Sequence, residues 1–412
     1  MKLLHTADWH LADRIGRIDR TDDLRRAVER IADLCEQERV ETLIVAGDLF
    51  SDLARPEALH AAIAHFNRVF RPFLTGGGTI VAVTGNHDNE TFCRTLQEAF
   101  RLASPAPQQT GDLLPAGRLH LATGATFFRL ADRQGQQVQF ACLPYPTGQR
   151  YLDDPRQRFT SLDERHRALK DALEERLKQM QQQLDPRLPS VLIGHFYVSG
   201  AATRGLFRLS EQEDVCFGES TLASGWSYVA LGHIHQPQPL AGLPHARYSG
   251  SIERLDLGER DDDKSAVLLE IGRHGLLSEP TTVPLEATPF YDVHITDPQA
   301  ELPHLTERYP HAERALTKLH ITYRPGEDNL PEILAELDRR FPRWYSRDYR
   351  AARSETAGGA DFAATLEGEG EAAHRPGATV LRYLEHVIPE DDADRAELFA
   401  LAHELLQQSP DG

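Results

Sequence analysis

The chain has 412 residues, enough for two or three domains of about 100–200 residues each, although one α/β domain can reach about 250. A hydrophobic content of 40%, close to the usual globular share once glycine is counted, excludes a collagenous or largely disordered protein. The net charge of −18 argues against non-specific wrapping of nucleic acid by a basic surface, so a phosphate-bearing substrate must be met by a local device.

No stretch approaches the roughly 18 uninterrupted apolar residues of a membrane span, and the start MKLLHTADWH lacks a signal-peptide core. A cytoplasmic protein with no membrane partner is expected. Cys35, Cys93, Cys142 and Cys216 are far apart with no CxxC pair, which predicts reduced, structural thiols.

In chain order, KLLHTADWH (2–10) opens with a buried strand. TDDLRRAVERIADLCEQE follows, with Leu24, Val28, Ile31, Leu34 and Cys35 at helical spacing, Thr21 as its cap, and Asp22 and Asp23 in its first turn. TLIVAGDLF (42–50) reads as a second strand, residues 57–71 as a helix and TIVAVTGNHD (79–88) as a third strand, giving a layered β-α-β-α-β start. LDERHRALKDALEERLKQMQQQL (162–184) reads as a helix stopped by Asp185-Pro186. SVLIGHF (190–196) and WSYVALGHIH (226–235) repeat the strand pattern. Beyond about residue 285, DVHIT (292–296), a helix near 301–308, KLHITY (318–323) and PEILAELDRRF (331–341) predict a small α+β module. Residues 354–376 are acidic and rich in Ala and Gly, as in a flexible linker. VLRYLEHVI and RAELFALAHELLQQ then predict two short amphipathic helices, with stripes at Leu381, Leu384 and Val387 or Ile388, and at Leu398, Leu401, Leu405 and Leu406.

The chemistry lies where these strands end. Asp8 and His10 follow the first, Asp48 the second, Asn86 and His87 the third, His195 the fourth, and His233 and His235 the fifth. Ligands bind outside the carboxyl ends of strands in open α/β sheets, so these loops are expected to converge. Any one such residue is more often a cap or turn residue. Five successive strand exits reading D-x-H, G-D, G-N-H-D, G-H and G-H-x-H are hard to assign to capping. Carboxylate, amide oxygen and imidazole suit Mn, Fe or Zn better than Ca. Asp48, in the middle of the set, is the natural bridge between two ions about 3.5–4 Å apart. Such ions neutralise a phosphate ester and lower the pKa of a water between them, and they would let an acidic protein meet a phosphate-bearing substrate.

DWH (8–10), GDLF (47–50), GNHD (85–88), GHF (194–196) and GHIH (232–235) occur in order and resemble the motifs of the calcineurin-like metallophosphoesterases. HTADWHL at the N-terminus and YSGSIERLDLGERDDDKSAVLLEI (248–271) narrow the resemblance to the SbcD family of double-strand-break repair nucleases. It implies a layered α/β metallophosphoesterase fold, a β-sandwich flanked by helices, with a small α+β cap domain and C-terminal helices. The implied division is a nuclease domain at 1–285, a DNA-binding cap at 286–353, an acidic linker at 354–376 and an ATPase-docking segment at 377–412.

The resemblance also implies two Mn ions per chain, with Mg, Fe or Zn as substitutes. Asp8, His10, Asp48 and His235 would hold one, and Asp48, Asn86, His195 and His233 the other. His87 would stabilise or protonate the departing oxygen, with Asp88 orienting it. Archaeal and eukaryotic relatives often carry a His after the GDxF motif, where this chain has Ser51 followed by Asp52.

The implied activity is metal-dependent cleavage of DNA, exonucleolytic on duplex ends and endonucleolytic on single strands and hairpins. The implied partners are DNA, an SbcC-type coiled-coil ATPase and a second copy of the chain within a heterotetramer, nucleoid-associated when DNA is bound. A small-molecule phosphodiesterase or phosphatase is the alternative, against which the roughly 120 extra residues beyond the phosphoesterase region speak. A scaffold holding metal only structurally is a third reading, disfavoured by the intact ligand set. Arg14 and Arg17, after the first motif, are expected to touch DNA, whereas Arg25 and Arg26 read as a solvated helix face. Arg20, or Arg339, Arg340 and Arg343, can add phosphate contacts, and the aromatic run FPRWYSRDY (341–349) can stack on bases if it is not core.

Overall fold

A computed structural model describes residues 1–103, 112–154, 156–202, 215–352 and 395–408, with 381 and 384. Two sheets stack face to face with helices outside. In the first, Gly275–Leu276, Ser265–Gly272, Lys2–Thr6, Thr42–Ala46, Thr79–Val83 and Leu119–Ala122 lie side by side, and Thr281–Pro284 also pairs with Ser265–Gly272. In the second the order is Gln238–Leu240, Leu243–Tyr248, Tyr228–Gly232, Ser190–His195, Gln137–Leu143 and Thr126–Ala131. Within each sheet the strands leading to the candidate ligands run parallel to one another, while Lys2–Thr6 is antiparallel to Ser265–Gly272 on its other side.

Period-two alternation explains the layering. Leu3, Ile44 and Val81 face the second sheet and meet Phe140, Val191, Ile193 and Tyr228 between the layers. Their neighbours Leu4, Leu43, Val45 and Ile80 face outward and pack on Leu24, Val28 and Ile31 of the helix Thr21–Gln37 and Phe70 of the helix Pro56–Thr75. On the far side, Leu169, Leu173, Leu177 and Met180 of the helix Leu162–Gln183 cover Leu192, Val229 and Leu231. Because both faces of each central strand are buried, the runs are continuously apolar rather than alternating.

One local expectation is corrected. Thr21 is the first helical residue and not the cap; that position is held by Arg20, and the Thr21 amide donates to Asp19 Oδ1 at 2.7 Å. The aromatic run 341–349, read as core or a stacking surface, leaves the helix Leu330–Arg340 and enters a strand, Trp344–Ala351. It lies parallel to Leu316–Tyr323, which is parallel in turn to Phe290–Ile295. Val293, Ile295, Leu319 and Ile321 line one face of this small sheet and pack on Ile333, Leu337 and Phe341.

The small module rests on the hairpin at 14–19. The Arg17 guanidinium lies 3.7 Å from the centre of the Trp344 ring and its Nε donates to the Trp344 carbonyl at 3.2 Å. Asp23, almost fully buried, receives Arg20 at 2.8 Å, Arg26 from its own helix, and Arg343 from the module. Arg20 is itself fully buried, and its Nη1 donates to the Arg254 carbonyl, so the phosphate contact suggested for it is corrected: it is a core ion pair. Arg339 and Arg340 both pair with Glu336. The linker 354–376 and the stripe at Val387 or Ile388 lie outside the described residues. The second C-terminal helix is present as Arg395–Gln408, with Leu398 and Leu401 exposed.

Candidate metal centre

The five strand exits belong to two sheets: three loops leave Lys2–Thr6, Thr42–Ala46 and Thr79–Val83, and two leave Ser190–His195 and Tyr228–Gly232. They meet over the top of the sandwich. The first two loops are zipped by backbone bonds, with Asp8 N–H donating to Gly47 O at 3.0 Å, His10 N–H to Asp48 O at 2.9 Å and Leu11 N–H to Leu49 O at 2.9 Å. Asp8, His10, Asp48 and His233 all have left-handed backbone, with φ of 52°, 44°, 51° and 95°. Non-glycine residues rarely adopt that region, and such strain concentrates where surrounding structure holds a functional side chain in place.

The seven candidate ligands converge. Asp8, His10 and His235 offer atoms within 4.8 Å of one another, as do Asp8, Asp48 and His195. Asp48 Oδ2 lies 3.6 Å from His10 Nε2 and 3.2 Å from His195 Nε2, between the two groups. Asn86 Oδ1 stands 3.0 Å from His195 Nε2 and 3.1 Å from His233 Nδ1. His195 Nδ1 donates to the Ala46 carbonyl at 2.7 Å, which leaves Nε2 to face the carboxylates. Asp8 accepts the His233 amide on both oxygens, at 3.0 and 3.2 Å.

The donor set fits divalent cations. Burial raises the Asp8 carboxyl. Burial also works against charge on His195, but Asp48 and Asp8 outweigh it and hold the imidazole at about 9, so the site draws positive charge to that Nε2. Burial likewise opposes the Asp48 carboxylate and is overcome mainly by His195, leaving its carboxyl well below the usual range. His10, buried and without comparable compensation, is pushed down to about 3 and offers a neutral ring. The cradle excludes side chains at two glycines. A Cβ at Gly85 would stand 2.0 Å from Asp48 Oδ1, and one at Gly47, where φ is +96°, 1.9 Å from His195 Nδ1.

His87 stands at the edge, its ring centre 4.9 Å from that of His10, and its Nδ1 lies 3.3 Å from Asp52 Oδ1. Asp88, expected to orient His87, has a buried carboxylate that accepts the amides of Leu49, Phe50 and Gly85, at 3.2, 2.9 and 2.8 Å. It ties the Asp48 loop to the Asn86 loop, and the carboxylate beside His87 belongs to Asp52. Ser51 Oγ donates to Asp13 Oδ1 at 2.8 Å.

The calcineurin-like phosphoesterase model matches residues 1–237, which span all seven of these side chains. The chain belongs to the calcineurin-like phosphoesterase family. Within it, this phosphoesterase is similar to the SbcD component of the nuclease SbcCD of Bacillus subtilis, 26% identical over 66% of this chain and 66% of that relative, just under two thirds of its length. The Escherichia coli K12 protein of the same name is 27% identical over 69% of this chain and 70% of its own. "DNA double-strand break repair protein Mre11" of Aeropyrum pernix is 25% identical over 72% of this chain and 64% of its own. No helix among the described residues is long and apolar enough to cross a membrane.

One member of the phosphoesterase site does not follow a strand exit. Glu259, buried in a short turn, accepts from His235 Nδ1 at 2.7 Å and pairs with Lys264 Nζ at 2.6 Å. Lys264 is fully buried and also donates to the His235 carbonyl at 2.9 Å. His235 and Lys264 outweigh the cost of burial and hold the Glu259 carboxyl far below its ordinary range. Its one signal in the sequence is the run ERDDDK, which carries the family resemblance but does not single out this acid.

Proposed function

We propose that this phosphoesterase is a metal-dependent DNA nuclease, exonucleolytic on duplex ends and endonucleolytic on single strands and hairpins, and the catalytic subunit of an SbcCD-type repair complex in the cytoplasm. The observation that carries the reading is the convergence of Asp8, His10, Asp48, Asn86, His195, His233 and His235 at one end of the sandwich, supported by the names of the relatives.

Asp8, His10, Asp48 and His235 hold one divalent ion in this reading, and Asp48, Asn86, His195 and His233 the other, with Mn proposed for both. Bound there, the ions would supply charge neutralisation of the phosphodiester and a nucleophile at neutral pH. The chain's own groups do the rest. His195, pinned through Nδ1 on Ala46, keeps Nε2 directed inward, and Glu259 does the same for His235. His87, set by Asp52, donates a proton to the departing oxygen. Arg14 and Arg17 contact DNA phosphates, Arg17 from its place over Trp344. Segment 377–412, whose second helix exposes Leu398 and Leu401, docks an SbcC-type coiled-coil ATPase, and two copies of the chain form the core of the heterotetramer.

The test is cleavage by the purified chain with Mn. Degradation of linear duplex and hairpin DNA is the expected result. Hydrolysis of cyclic nucleotides or nitrophenyl esters with DNA untouched would favour the small-molecule alternative, and metal binding with neither activity would favour a scaffold. Truncation after Ala373 is expected to leave Mn-dependent single-strand cleavage and melting temperature unchanged while abolishing co-purification with the ATPase. A lowered melting temperature with the complex intact would refute the docking role.

A further inference from the structure

The helices of the module cover one face of the small parallel sheet, and the opposite face carries a second constellation of ligating side chains. Asp292 and His294 stand two residues apart on Phe290–Ile295 and so share a face; His294 is in register with His320, and His320 with Asp348. The rings of His294 and His320 are stacked, with centres 4.4 Å apart and planes 14° from parallel. Asp292 Oδ1 lies 3.4 Å from His294 Nε2 and 3.2 Å from His320 Nε2, and one ligand atom from each of the three falls within 4.8 Å of the others. That oxygen is shielded from solvent yet accepts no hydrogen bond of acceptable geometry among the described residues. A buried carboxylate oxygen left this way costs free energy unless something positive satisfies it.

We infer that Asp292, His294 and His320 form a binding site for a divalent transition-metal ion, with zinc the best fit. Two imidazoles and one carboxylate are borderline donors, the set that zinc takes in three-ligand sites with a further position open. The spacing agrees with this. Zinc bonds to nitrogen and oxygen are about 2.0–2.1 Å long, so the edge of a zinc tetrahedron is about 3.3 Å, and the two oxygen–nitrogen separations are 3.2 and 3.4 Å.

His320 also has the outer partner that metal-bound histidines use. Its Nδ1 lies 3.4 Å from Asp348 Oδ2, which favours the tautomer with the proton on Nδ1 and leaves Nε2, 3.2 Å from Asp292 Oδ1, as the unprotonated nitrogen; a turn of the ring brings its lone pair onto the ion. Arg260 forms a loose ion pair, at 3.8 Å, with the other carboxylate oxygen, Asp292 Oδ2, on the side away from Oδ1. None of these residues belongs to the strand-end centre, so the inference stands apart from the nuclease reading.

The test counts zinc. Full-length protein equilibrated with micromolar zinc and separated from free ion is assayed for metal per chain, alongside His320→Ala and the more exposed His294→Asn, which guards against a folding failure in the first variant. Each folded variant is expected to bind one zinc fewer per chain than the unaltered protein while retaining its Mn-dependent phosphodiesterase activity. Cobalt in place of zinc is expected to give the absorption of a tetrahedral site that both variants lose. Equal zinc counts in the unaltered protein and a folded variant would overturn the inference, as would a cobalt spectrum unchanged by either substitution.

Discussion

Replacing Glu259 by Gln separates two contributions that one carboxylate makes. The side chain keeps its volume but loses its charge in a pocket where it is 1% exposed, while Lys264, 1% exposed, keeps its own. Removing one partner of a buried pair costs about 3–5 kcal/mol. Asp262 Oδ2, 3.4 Å from Lys264 Nζ, remains as a partner and puts the loss toward about 3 kcal/mol. The second loss falls on metal affinity, because the 2.7 Å contact that fixes the His235 ring weakens. Outer partners of this kind are worth about 10–100-fold in affinity, or about 1.4–2.7 kcal/mol. Mn titrations of phosphodiester hydrolysis should therefore shift by about one to two decades in concentration and regain the original maximal rate at saturation. Calorimetry should show a lower melting temperature, and adding Lys264→Met should recover stability but not metal affinity. A superimposable titration would refute the orienting role, and a rate loss that saturating Mn does not restore would place Glu259 in the chemistry instead.

Other perturbations have equally definite outcomes. Asp48→Ala should abolish Mn-dependent cleavage, because no shared anion then stands between His10 and His195; retention of the original rate would refute a two-ion centre. His87→Gln should keep about two metals per chain and bind DNA yet cleave about 10²–10⁴-fold more slowly, whereas loss of a metal from this variant would make His87 a ligand. Gly85→Ala drives a Cβ into Asp48 and should cost about 1–3 kcal/mol in chemical denaturation and about 10²-fold in rate; unchanged values for both would show that the cradle has slack. Asp23 has a carboxyl held below its ordinary range: burial works to raise it, but Arg343 and Arg20 prevail. Its contribution is present above an unfolded value near 3.9 and is lost as pH falls below it. Arg343→Met should make the stability decline in that window shallower by urea unfolding, and an identical decline would exclude Asp23 as its source.

The five strands that lead to the site were legible because burial on both faces makes them continuous apolar runs, and the ligands because each follows such a run, four of the five exits being marked by glycine. The division of those strands between two sheets was not. Lys2–Thr6 and Ser190–His195 read alike, and local pattern carries no mark of which layer a buried strand joins. Trp344–Ala351 was missed for the opposite reason, since RWYSRDYR is polar on its open face and too aromatic to separate from a helix end. Partners at long range were invisible in principle: Glu259 is one acid among several in its turn, and nothing near Asp88 announces that three amides will occupy its carboxylate. Asp52 could be noticed only as a departure from a pattern.

Two of the attachments of the small module differ in what their rupture leaves behind. If Arg343 withdraws from Asp23, Arg20 and Arg26 still neutralise that carboxylate from its own side, so the outer attachment can open and reclose without stranding a charge. The inner attachment is the denser of the two and lies on the chain connection itself. Glu253, 2% exposed, accepts both the amide and the hydroxyl of Thr288 at 2.8 Å, and Arg254 donates to the carbonyl of the same residue at 3.3 Å. Mechanical load on the module, such as a stiff polymer pressing across the mouth of the sandwich, would thus release the Arg343 edge first and turn the module about Thr288 as its pivot.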